Sequence, residues 1–324
     1  MAPHRRVVYL NGTFVDETEA KISIYDSALM FGDMVFEMTR SFKKKQFKLK
    51  EHLDRLYASI RFVHIPLKMT QAQMERACLE VIAKNERAFD ADDEHRLMIN
   101  VSRGPLGIYQ PIFGKAEPTV VIADFPLRWT VAGMGKLFDE GINAVVTSQR
   151  AIPATLLDPK VKSRSRIHYQ MANIEASKMK GENNWALLLD PDGFVAEGTG
   201  DNVFIVKDGV IITPEPRNIL RGVSRAYIFE LAESLKLKVV ETNIDVYDVM
   251  NADECFMTGT PFCLLPVARI NGEPIGQDVM GPVTRRLLDR WSRNVGVDIP
   301  AQIKGWNASH QTLSGAATPY QFKR

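Results

Sequence analysis

Apolar and polar residues alternate near the N-terminus as they do in strands. VVYL and TFV flank Asn11-Gly12, a pair that favours the primed turn of a tight hairpin. MVFEMTRSF and QFKLK flank Lys43-Lys44-Lys45 and predict a second hairpin. The period then lengthens. EHLDRLYASIRFVH, residues 51–64, places Leu53, Leu56, Ile60 and Val63 on one helical face. Thr70 reads as the N-cap of a second helix, TQAQMERACLEVIAKN. RLMINVS and TVVIADF read as strands around the loop GPLGIYQPIFGKAEP. The pattern predicts a small α+β domain over 1–127 and a short connector over 128–135.

Beyond the connector, NAVVTSQ reads as a strand. PATLLDPKVKSRSR is a polar stretch that runs into the helix IHYQMANIEASKM. Short strands follow, WALLLD, GFVAEG, NVFIVKDG and VIITP, punctuated by Asp192-Gly193 and Asp208-Gly209. RGVSRAYIFELAESLKL is an amphipathic helix with a glycine at its mouth. KVVETNI, ECFMTGT and LLPVARI are strands, and GPVTRRLLDRWSRNV is a closing helix. These make a larger domain over 136–298. Residues 299–324 are read as a polar C-terminal tail without a clear period.

Composition narrows the function classes. The chain has 324 residues, 45% hydrophobic and 25% charged, within the globular range. A net charge of +2 argues against a dedicated nucleic-acid or membrane-surface binder. Three scattered cysteines, Cys78, Cys255 and Cys263, form neither a disulfide framework nor a C-x-x-C pair. No stretch reads as a signal peptide or a membrane span, so a cytoplasmic protein is expected. The six histidines are dispersed, and no metal site is expected. Glu197-Gly198-Thr199-Gly200 imitates a dinucleotide fingerprint, but a strand follows where a helix is required.

What remains is a set of reactive or conformationally special residues at element ends. Lys162 lies at a strand-to-helix junction and Glu197 at a strand end. Gly222-Val223-Ser224 open a helix, Thr258-Gly259-Thr260 end a strand, and Arg55 sits in the first helix. Each alone has an ordinary reading as a solvated charge, a turn or a cap. Together they supply an amine, a carboxylate, free N–H groups, a hydroxyl and an arginine, a suitable set for pyridoxal phosphate.

The ordered stretches YLNGTFV, ALMFGDMVFEMTR, EHLDRL, KSRSRIHYQMANIEA, DGFVAEGTGDNVFIVKDG, ILRGVSR and DECFMTGTPFCLLPV resemble the class IV aminotransferases, the fold-type IV enzymes of pyridoxal phosphate. They cover roughly residues 8–290. The resemblance implies a small N-terminal α+β domain, a larger domain with a β-barrel-like core, and the cofactor in the cleft between them. It implies a homodimer, in which a loop such as 104–118 or the 20–40 segment completes the neighbour's site. It implies ping-pong transfer of an amino group between an amino acid and a 2-oxo acid, with branched-chain L-amino acids favoured. D-amino-acid and (R)-amine transaminases and aminodeoxychorismate lyases share the scaffold. Lys162 would bond the cofactor and move the proton, with Lys160 as the local rival. Glu197 would bind the pyridine nitrogen. Gly222, Val223, Ser224, Thr260 and Arg55 would hold the phosphate, while Asn202 supports the loop.

The chain also departs from the family. Ile167 stands where branched-chain enzymes place a tyrosine against the ring hydroxyl, with Arg166, His168 and Tyr169 beside it. Phe31 stands where a tyrosine is common. Arg103-Gly104 lacks the arginine–histidine pair of D-amino-acid enzymes that follows it. Arg96 and Met98 lie near the places of the branched-chain tyrosine and arginine. Arg40, Arg96, Arg103 and Arg166 are therefore open candidates for the substrate carboxylate.

Overall fold

A computed structural model describes residues 5–309. The chain divides into two compact units. The first runs to Leu127 and takes in Val161–Arg166; the second holds Arg128–Lys160 and the chain from Ile167 on. The segment that holds Lys162 thus belongs to the first unit, inside the stretch read as the larger domain.

The first unit is a five-stranded antiparallel sheet in the order Thr13–Asp16, Val7–Leu10, Thr119–Pro126, His95–Ser102, Met34–Met38. The hairpin turn has Asn11 and Gly12 both at positive φ, 48° and 96°, as a primed turn requires. Helices Leu49–Phe62 and Gln71–Asn85 lie on one face. Leu53, Leu56, Met74 and Val81 pack there against Val35, Leu97, Ile99 and Ile122. Thr70 closes a capping box with Gln73. MVFEMTRSF does not run on as one strand. It breaks after Met38, and Ser41–Phe42 pairs with Lys45–Gln46 in a separate small hairpin.

The second unit is built on a larger mixed sheet. Six of its strands form a ring: Val195–Gly198, Asn184–Leu189, Ile142–Arg150, Cys263–Ile270, Glu254–Gly259 and Asn202–Lys207. The ring closes where Glu197 pairs with Asn202. This is the barrel-like core that the resemblance implies. Phe204 and Phe256 stack within it at 4.9 Å between ring centroids. Helix Ile167–Ser177 packs on Ile142–Arg150 and Asn184–Leu189, and helices Val223–Ser234 and Pro282–Val295 pack together.

Two segments differ from their reading. Residues 128–135 are short helical turns, Arg128–Val131 and Ala132–Met134, with Val131, Ala132 and Met134 buried. They form part of the second unit. The expected tail begins as a helix, Ile299–Ser309, whose Ile299, Ile303 and Trp306 are buried. The rest of the tail, 310–324, lies outside the described residues.

Ile303 is fully buried, so Ile303→Ala should cost about 2–5 kcal/mol of stability, read as a lower urea midpoint. A second prediction concerns pH. His95 is buried, with Nδ1 2.8 Å from Asp124 Oδ2 and Nε2 2.8 Å from Glu86 Oε2. Burial opposes a charge on the ring, but the two carboxylates outweigh it and raise its pKa. The stabilisation is full below the unfolded value of about 6.5 and fades as pH rises through the raised folded value. His95→Gln should remove that decline from Tm measured between pH 6 and 9.

Candidate active site

In the first unit, Arg55 and Lys162 stand on opposite sides of the edge strand Met34–Met38. Alternation sends Val35 and Glu37 toward the helices and Phe36 to the other face. Glu37 is fully buried and accepts two hydrogen bonds from Arg55, Nε at 2.6 Å and Nη2 at 2.8 Å. Its Oε2 also meets His52 Nδ1 at 2.7 Å. Burial alone would raise the Glu37 pKa; the Arg55 guanidinium, then His52, overcome this and hold it well below the usual carboxylate range. Burial lowers the His52 pKa against the pull of Glu37. The guanidinium of Arg55 is thereby fixed by a charged bidentate pair.

Lys162 lies on an extended segment that lengthens the same sheet. Its carbonyl accepts from Phe36 N at 2.9 Å, and its N–H donates to Ser59 Oγ at 3.3 Å. Its Nζ sits 5.0 Å from the Phe36 ring centroid. Lys160, the rival, belongs to the second unit and pairs with Asp158 at 2.8 Å.

In the second unit, Glu197 sits at the ring-closing pair, next to an irregularity in the strand register. Its buried carboxylate accepts three hydrogen bonds. Tyr169 Oη donates at 2.9 Å, Asn202 Nδ2 at 3.1 Å and Leu220 N at 2.9 Å. Such a donor set favours the anion. Asn202 Nδ2 also donates to Leu220 O at 2.9 Å. A Cβ at Gly222 would collide with Asn202 Oδ1, so only glycine admits this approach. Gly222 is the N-cap of Val223–Ser234 and brings no side chain to it. The first N–H groups of that helix, on Val223 and Ser224, therefore lack intrahelical acceptors. Thr258 faces Asn202 across the strands, and its buried hydroxyl has no hydrogen-bond partner. Thr260 follows the end of that strand.

The second unit thus brings Glu197, Gly222, Val223 and Ser224 together around Asn202. Asn202 ties the carboxylate to the helix entrance, more than the loop support read from sequence. Buried anion, uncapped helix start, glycine cradle and orphan hydroxyl suit a phosphorylated pyridine. Tyr169, Thr258, Glu37 and His52 are additions to the predicted set. Only Glu37 left a plain trace, a lone carboxylate inside the apolar run MVFEM. Of the candidate arginines, Arg103 is held by Asp33 at 2.7 Å and by the carbonyls of Val63 and His64. Arg40 is buried against Phe42, and Arg96 is buried over Phe125. Arg166 lies 5.5 Å from the Phe36 centroid.

Comparison with known proteins agrees with this geometry. The profile of the amino-transferase class IV family matches residues 34–270. A Methanocaldococcus jannaschii protein assigned as a branched-chain-amino-acid aminotransferase is 38% identical over 88% of this chain and 94% of its own length. The branched-chain-amino-acid aminotransferase of Escherichia coli K12 is 31% identical over 86% of this chain and 90% of its own. The crystal structure of the branched-chain amino acid aminotransferase from Thermobaculum terrenum, in its PLP-form, superposes with a TM-score of 0.78. It is 26% identical, and the match covers 94% of this chain and 98% of that one. The chain belongs to the amino-transferase class IV family and is a pyridoxal-phosphate-dependent aminotransferase.

Proposed function

We propose that this aminotransferase moves the amino group of branched-chain L-amino acids to a 2-oxo acid, with Lys162 as the proton-carrying amine and Glu197 as the partner of the cofactor nitrogen. The observation that carries the reading is the buried Glu197 carboxylate with its three donors. A buried carboxylate in that setting has its use opposite a protonated heterocycle. The names of the similar proteins support the substrate class. So does the sheet face near Lys162, where half-buried Met34, Met38 and Met98 offer an apolar lining.

Pyridoxal phosphate, when bound, supplies an electron sink for the pair left at the substrate Cα. Glu197 holds a proton on the ring nitrogen, which makes that sink effective. Val223 and Ser224 offer backbone N–H groups to the phosphate dianion at the positive end of their helix. Thr260 and Arg55 add a hydroxyl and a cation. Lys162 takes the proton from Cα and returns it to the carbon that receives the nitrogen, acting as base and then acid.

The enzyme is further proposed to work as a homodimer in the cytoplasm. Segments 20–33 and 104–118 pack together, with Tyr25 and Tyr109 at 4.7 Å between centroids and Ser27 N bonded to Gly104 O. They expose Ile24, Leu29, Phe31, Ile108, Ile112 and Phe113, an apolar patch suited to a second copy. The three free cysteines are buried, in keeping with a reducing compartment.

Lys162→Ala should lower turnover at least about a thousandfold with the fold intact by circular dichroism. Glu197→Gln should lower kcat about a hundredfold or more while cofactor stays bound; loss of cofactor with an unchanged rate per bound cofactor would refute the electron-sink role. L-leucine and L-valine should bleach the yellow holoenzyme in the absence of an acceptor, and D-alanine should not. Paired Phe31→Asp and Ile108→Asp changes should shift light-scattering mass from two chains to one.

A further inference from the structure

We propose that Arg164, flanked by Arg166, binds the α-carboxylate of the substrate. The inference rests on Lys162 being the reactive amine. The segment Lys162-Ser163-Arg164-Ser165-Arg166 is extended along the edge strand. Arg164 N donates to Met34 O at 2.8 Å, and Ser163 bridges to Val35. Alternation therefore puts residues 162, 164 and 166 on one face. Val161 points the other way, into the core under the helices. The three cations converge on one ring. Lys162 Nζ is 5.0 Å, the Arg164 guanidinium carbon 3.7 Å and the Arg166 carbon 5.5 Å from the Phe36 centroid.

That convergence has a chemical meaning. An α-amino acid carries its amine and carboxylate on one carbon, so the group that grips the carboxylate must stand within one small molecule of the amine's partner. Two cations so close to one centroid meet that condition. Arg164 is also held in place. Its Nε and Nη2 both donate to Asn100 Oδ1, at 3.0 and 2.8 Å, and its plane covers a buried ring. Both bonds go to one amide oxygen and fix the orientation of the guanidinium. A fixed, stacked guanidinium loses little entropy on taking a carboxylate. The plain alternative is that Arg164 only staples the segment to the sheet.

A substrate pair separates the two. L-leucine and 3-methylbutylamine share amine and side chain and differ by the carboxylate. Half-reaction rates for both would be measured on wild-type and Arg164→Gln holoenzymes, with 4-methylpentanoate binding followed by calorimetry. Arg164→Gln should lower the leucine-to-amine rate ratio about a hundredfold and weaken 4-methylpentanoate at least about tenfold. Arg164→Lys should recover part of both, because it restores charge without the planar fork. An unchanged ratio, or an equal fall for both substrates, overturns the proposal in favour of the staple. Arg164→Met, which keeps the cover over Phe36, repeats the comparison if the glutamine variant does not fold. Failure of wild-type holoenzyme to bleach with either compound would instead overturn the assignment of Lys162 on which the proposal stands.

Discussion

One cross-strand pair governs the second unit. Glu197 and Asn202 close the ring of strands, and the same two side chains meet at 3.1 Å. A buried carboxylate costs several kcal/mol in lost hydration unless donors replace the water. Here the donors come from three places: Tyr169 on a helix, Asn202 on the facing strand and the backbone at Leu220. Sheet closure and site electrostatics therefore share one register position. A slip of one residue there would turn the carboxylate to the opposite face and open the ring. The glycine at 222 extends the constraint to the next helix, since its entrance abuts Asn202.

The first unit solves the same problem with a cation among the donors. Glu37, sealed under the helices, is satisfied by Arg55 and His52, one turn apart on Leu49–Phe62. Across the same strand, Phe36 carries the cations of the 162–166 segment. A single residue step in MVFEM thus separates an acid-centred cluster from a base-lined one. Alternation along the strand keeps them from neutralising each other.

Much of this was legible in the chain, because local rules sufficed. Asn11-Gly12 specified a turn and Thr70 a cap. The misreadings have physical causes. Residues 128–135 hold two glycines and an alanine and no long apolar run, which suggests a linker, yet in short helical turns small residues allow close packing. In the last helix, Ile299, Ile303 and Trp306 keep helical spacing, but Pro300 and Gly305 between them mask it. Asp245 and Asp248 form a capping box over a helix too short to show a period. Lys162 and Glu197 could be singled out as candidates because they stand at element ends and match the family's order. Contacts that depend on pairing could not. The Lys-x-Arg-x-Arg alternation carries information only once the segment is known to be extended.

The excursion of the chain through the second unit bears on how the protein is made. Residues 161–166 hydrogen-bond to the edge strand Met34–Met38, but they are separated from it by more than a hundred residues and follow the first strand of the other unit. On a ribosome, the N-terminal unit emerges with that edge bare and its hydrogen-bonding groups open to any passing strand. It becomes complete only when a later stretch of chain arrives, so its maturation is coupled to the synthesis of its neighbour. A product that stops at Leu127 is therefore an unfinished sheet, and a substrate for chaperones more than an independent domain.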